Sequence, residues 1–117
     1  DVALPYASST LTGSQTKSIS SISGHTRGGK AYVKYKYVIV DSVKKFKSLS
    51  NFYVTYTGDT SFIDFELVDY TYKFIDNART LAITFTGRTT YYVVVAGNKI
   101  EYTDLNDKYV EFYASNS

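Results

Sequence analysis

The sequence predicts an all-β chain folded as one antiparallel β-sandwich of about seven to eight strands, immunoglobulin-like or similar, with a small β-barrel as the alternative. Three observations lead there. Apolar and polar residues alternate at a period of two through much of the stretch after Lys30. Gly-, Asn- and Asp-bearing turn signals recur at intervals of about 8 to 12 residues. No window combines helical spacing, an N-cap and a run of good helix formers, and the nearest approach, Val43 to Leu49, is only half a helix long.

Residues 1–29 are rich in Ser, Thr and Gly and read as a loosely ordered N-terminal segment, with a short strand expected near Lys17 to Ser23. Residues 30–114 read as the sheet core of a single domain spanning 1–117. Its first strand sets Ala31, Val33, Tyr35, Tyr37 and Ile39 against Tyr32, Lys34, Lys36 and Val38. Phe52, Val54 and Tyr56 repeat the pattern before a Gly58-Asp59 turn, and Ile63, Phe65 and Leu67 repeat it again.

At Asp69 the inward set changes to Tyr70, Tyr72 and Phe74. One extra residue flips every side chain, so this marks a β-bulge or a strand crossing between sheets. Asp76 to Arg79 form a turn into Leu81, Ile83 and Phe85, and Gly87 is expected to end that strand. Tyr91 to Ala96 read as a strand buried on both faces, Gly97-Asn98 as a two-residue hairpin turn, and Asp104 to Asp107 as another turn before a last strand, Tyr109 to Tyr113.

With 117 residues the chain suffices for one core, and no apolar run approaches the roughly 20 residues of a membrane-spanning helix. Cysteine is absent, which excludes disulfides, thiolate nucleophiles and zinc–thiolate sites. Thirteen Tyr and seven Phe with no Trp mean that much of the burial must be done by rings, many of them with a hydroxyl to satisfy. The first residue is Asp1 rather than Met. With the Ser/Thr/Tyr-rich, cysteine-free composition, this leads to the expectation of an exported, extracellular protein freed of a signal peptide, a trimmed chain being the other explanation. An organism that does not depend on disulfides, such as a Gram-positive bacterium, fits best.

The overall charge of +2 hides a split. Residues 1–58 carry seven Lys and Arg27 against two Asp, a net of +6, whereas the remainder sets five cations against nine acids, a net of −4. Lys34, Lys36, Lys44, Lys45 and Lys47 are the expected centre of a basic binding face. The plainer reading is that lysines on exposed strands keep sheets from associating, and that the two halves neutralise each other across the sandwich. Tyr32, Tyr53 and Tyr92 are out of phase with the apolar set of their strands, which makes them candidates for stacking on a sugar's C–H face. Tyr35 and Tyr37 lie opposite the lysines, so a nucleic-acid platform is not expected.

The catalytic and metal candidates are weak. Asp64 and Glu66 share a strand face but look like solvated acids. His25, the sole histidine, sits among glycines, and Asp104, Asn106 and Asp107 lack the glycine and distal Glu of a calcium loop. No catalytic residue, metal or cofactor is therefore expected. The function expected is non-enzymatic binding of a polysaccharide, a cell surface or a partner protein outside the cell. The alternatives are an antimicrobial or toxin-like action on anionic membranes, and inhibition of a secreted hydrolase through residues 24–29.

Overall fold

The structure, a computed structural model, describes residues 9–22 and 28–117. Among the described residues there are six strands, β1 (Leu11–Ile19), β2 (Gly29–Val40), β3 (Val43–Tyr56), β4 (Ile63–Ile75), β5 (Thr80–Val95) and β6 (Asn98–Tyr113), with one 3-10 turn at Ala114–Asn116. They pair as two antiparallel three-stranded meanders, β1-β2-β3 and β4-β5-β6. The two sheets pack face to face as a β-sandwich.

The inward residues of β2 follow the expected parity, with Ala31, Val33 and Tyr35 buried. They meet Phe46, Phe52 and Val54 of β3, Leu81, Ile83 and Phe85 of β5, and Val110 and Phe112 of β6. Rings join the sheets: Phe52 lies 5.7 Å from Phe85 and 5.0 Å from Tyr70, and Phe46 stacks on Phe74 at 5.9 Å. Tyr35 is fully buried, and its hydroxyl is satisfied by Gln15 Nε2 at 2.9 Å and Ser117 Oγ at 2.8 Å. That answers the requirement a buried tyrosine brings with it.

The strand count is six because segments that look like breaks are continuous strand. Val43 to Leu49, the nearest approach to a helix, is the first half of β3. Gly87 does not end its strand. It sits inside β5 because the Phe65 ring lies across it, and a Cβ there would come within 2.3 Å of that ring. Asp104 to Asp107 are paired residue by residue with Thr89 to Thr86, so the unbroken ladder of β5 overrides their turn-like composition. The parity change near Asp69 is a bulge between Leu67 and Asp69, and β4 stays in its sheet. The N-terminal segment read as loosely ordered contributes β1, in register with β2 from Leu11 to Ile19.

Two tight hairpins turn through left-handed residue pairs. Asp41 and Ser42 have φ of 52° and 67°, and Ala96 and Gly97 have 52° and 81°. Two central residues of positive φ define the turn whose twist suits a hairpin. The second turn is thus Ala96-Gly97, one residue earlier than Gly97-Asn98, and Asn98 already pairs with Val95.

The sheets are offset along their length. Phe46 N–H donates to Ala78 O, so the β2–β3 tip runs past the β4–β5 turn at one end. At the other end β4 begins opposite Tyr91, and the rest of the β5–β6 hairpin projects beyond it. The stretch expected to be buried on both faces is therefore open: Val93, Val94 and Val95 are all exposed. The radius of gyration, 18.7 Å, exceeds the roughly 13 Å of a compact domain of this size, and the extents are 78 × 19 × 19 Å.

Candidate functional site

The outer face of the first sheet collects most of the predicted residues. Along β2 the side chains of Lys30, Tyr32, Lys34 and Lys36 alternate outward. Register places Ser18, Thr16, Ser14 and Thr12 of β1 beside them, and Thr55, Tyr53, Asn51 and Ser48 of β3 on the other flank. Tyr32 and Tyr53 are directly opposed and stack, ring centroids 4.5 Å apart with planes at 15°. The bulges of β2–β3 between Lys34 and Tyr37 leave Lys47 between paired positions, and its Nζ reaches across β2 to Thr10 Oγ1 at 3.1 Å. Lys45 pairs with Val38 on the outward row.

Among the described residues this face carries no acid. From Ser9 to Tyr56 the sequence holds a single carboxylate, Asp41, and it lies in the hairpin turn. The outer face of the second sheet is the reverse, with Asp64, Glu66, Asp69, Glu101, Asp107 and Glu111 against Lys73, Arg88 and Lys99. The charge split between the halves of the chain thus becomes two opposite outer faces. Among the described residues the ion pairs Arg88–Glu66 at 2.5 Å and Arg79–Asp76 at 3.0 Å lie within the second half, while Lys17 of the first half stands close enough to Glu111 of the second to help hold its carboxyl low.

Two predicted residues stand apart. Lys44 is on the inward row and donates to the main-chain oxygen of Ser117 at 2.5 Å. It helps line a cleft of ≈ 510 Å³ with Val43, Asp76, Arg79, Thr80 and Tyr113 under the β2–β3 tip. Tyr92 is on the second sheet, its ring 4.0 Å from Lys99 Nζ, far in the register from the Tyr32–Tyr53 pair. His25, like residues 24–27 of the segment 24–29 expected to enter a hydrolase, lies outside the described residues, and Gly29 begins β2.

Asp64 and Glu66 are exposed, and Glu66 is engaged by Arg88. Asp104 and Asn106 share one side of β6 while Asp107 faces the other and accepts from Thr86 Oγ1 at 2.6 Å, so the three do not converge. Among the described residues no group of three or more His, Cys, Asp or Glu is placed to hold a metal ion.

One cluster escaped sequence reasoning. Tyr109 and Tyr113 hydroxyls both donate to Glu111, at 2.6 and 3.0 Å, while Lys17 Nζ donates to Glu111 O at 2.9 Å and sits 5.5 Å from the Tyr113 ring centroid. The hydroxyl bonds hold the Glu111 carboxyl below its ordinary value of 4.5 and raise both phenols above 10.0, since each bond favours carboxylate and neutral phenol. The signal was present as the i, i+2, i+4 spacing of Tyr109, Glu111 and Tyr113 on one strand face. The role of Lys17 required knowing that β1 lies against β6. With Gln15 donating to Tyr113 O at 2.8 Å, it clips β1 to the edge of β6.

No protein-family model, curated protein or solved structure matches the chain.

Proposed function

We propose that this chain is a non-enzymatic extracellular binding protein whose basic sheet face holds an anionic polymer, a charged polysaccharide of a cell surface or matrix. The observation that carries the reading is the outer face of β1-β2-β3, where Lys30 and Lys34 flank Tyr32 of the Tyr32–Tyr53 stack and Lys36, Lys47 and Lys45 continue the row toward the β2–β3 turn, with no carboxylate on this face among the described residues.

The physical case is collective. A single exposed ion pair is worth about 0 to 1 kcal/mol, so one lysine binds nothing. Repeats at about 6.6 Å along β2, two residues of strand rise, present several ammonium groups to a chain whose charges recur at the spacing of sugar units. Side chains from Thr12, Ser14, Thr16, Ser18, Ser48 and Asn51 add hydrogen-bonding groups on both flanks. The two tyrosines spend one ring face on each other, which leaves one outer face and one hydroxyl each for a sugar.

Co-sedimentation with insoluble polysaccharides and bacterial cell walls tests the reading. Retention on acidic matrices that falls as salt rises, with little retention on neutral ones, supports it. Retention on anionic vesicles accompanied by leakage, with none on acidic polysaccharide, contradicts it in favour of action on membranes.

A further inference from the structure

The Tyr32–Tyr53 pair fixes the direction in which a polymer can lie on the basic face. Ring centroids 4.5 Å apart are too close for two rings lying flat and edge to edge, and their planes differ by only 15°, so the rings face each other. Because the two residues are directly opposed on neighbouring strands, that separation runs across the sheet, close to the roughly 4.8 Å between strands. The pair therefore stands upright as a short wall along the strand direction.

The outer faces of the two rings look onto different ground. The free face of Tyr53 looks out past β3, an edge strand. The free face of Tyr32 looks over β1, where Thr16 is its register partner. The outward row of β1 is Thr12, Ser14, Thr16 and Ser18, all exposed and all with short hydroxyl side chains, beside Lys36, Lys34, Tyr32 and Lys30 of β2 in that order. Long side chains on one row and short ones on the next make a trough about 20 Å long, the strand rise from Thr12 to Ser18. Hydroxyls form its floor, and a ring with ammonium groups on either side forms its wall.

Two further contacts fit a trough on this side. Lys47 Nζ crosses β2 to reach Thr10 Oγ1 at 3.1 Å, which brings a cation from β3 to the end of the β1 row. The floor is also held in place, because Gln15 and Lys17, the alternate residues of β1, donate to the main-chain oxygens of Tyr113 and Glu111.

We infer that the polymer lies along β1 in this trough, parallel to the strands, with one sugar ring flat against the free face of Tyr32 and its acidic groups met by Lys30, Lys34, Lys36 and Lys47. The inference rests on the basic face being the binding surface and adds to it a lane and a ligand class. Tyr53 supports the Tyr32 ring from behind. A chain laid across the strands would have to climb the ring wall and would meet one strand position rather than the whole row. The class is a linear acidic polysaccharide, since a polyanion without sugars meets the lysines but gains nothing from the ring.

Retention on immobilised polygalacturonate, an acidic polysaccharide, and binding of inorganic polyphosphate, a polyanion without sugars, test this with three variants. Thr16→Tyr sets a side chain against the free face of Tyr32 and should lower retention on polygalacturonate severalfold, while Asn51→Tyr, exposed on the β3 flank, should leave it unchanged, both with unaltered circular dichroism spectra. Tyr32→Leu keeps apolar bulk and removes the stacking ring. It should weaken retention on polygalacturonate severalfold and leave polyphosphate binding as it was. No loss from Thr16→Tyr, equal loss from Thr16→Tyr and Asn51→Tyr, or equal loss of both polyanions in Tyr32→Leu would overturn the inference while the basic face stands. A wild type retained by no acidic polysaccharide would overturn the basic-face reading itself, and the inference with it.

Discussion

Individual side chains in this protein are placed by the hydroxyls their rings carry. Tyr35 is buried because Gln15 and Ser117 meet its oxygen, and Tyr35→Phe should cost about 1 kcal/mol in denaturant unfolding while leaving the two partners to water. Phe52 touches rings of both β4 and β5 without any polar atom, so Phe52→Ala opens a true void and should cost about 3 to 5 kcal/mol by the same measurement. At Glu111 the shifts have opposite signs. Its lowered carboxyl contributes stability above the ordinary carboxylate value, lost as pH falls through the folded one. The raised phenols of Tyr109 and Tyr113 contribute below 10.0, lost as pH rises through their folded values. In Glu111→Gln, ultraviolet titration should show two phenols ionising at lower pH than in the wild type. Unchanged titration would mean the hydrogen bonds at Glu111 do not exist in solution.

Turns and breaks separate what the sequence reveals of the elements from what it hides. Period-two alternation locates β2, β4 and the second half of β3, because each has one buried face and one wet one. Strand ends mislead where a local signal has a tertiary cause: Gly87 looks like a strand end but accommodates the Phe65 ring, and Asp104 to Asp107 look like a turn but are held extended by β5. The apolar run from Tyr91 to Val95 suggests burial on both faces, yet this segment projects, a consequence of the offset between sheets that no local pattern encodes. The hairpin at Asp41-Ser42 holds two non-glycine residues at positive φ, so Ser42→Gly should stabilise the fold by a few tenths to about 1 kcal/mol, read as a rise in the denaturation midpoint.

Across the whole molecule, the unequal charge of the two halves becomes a difference between two faces. Parity alone puts Tyr32 with Lys34 and Lys36. Adding Tyr53 requires the β2–β3 register, removing Lys44 requires its shared side with the buried Phe46, and removing Tyr92 requires the sheet assignment. Retention on an acidic polysaccharide matrix, compared between two pairs of charge reversals on opposite faces, tests the basic face most directly. Lys34→Glu with Lys36→Glu should weaken retention roughly tenfold or more, at about 1 kcal/mol per charge near an anionic surface, and Asp64→Lys with Asp107→Lys on the opposite face should leave it unchanged or slightly raised. Equal loss from both pairs, or none from the lysine pair, would contradict the assignment of the β1-β2-β3 face as the binding surface.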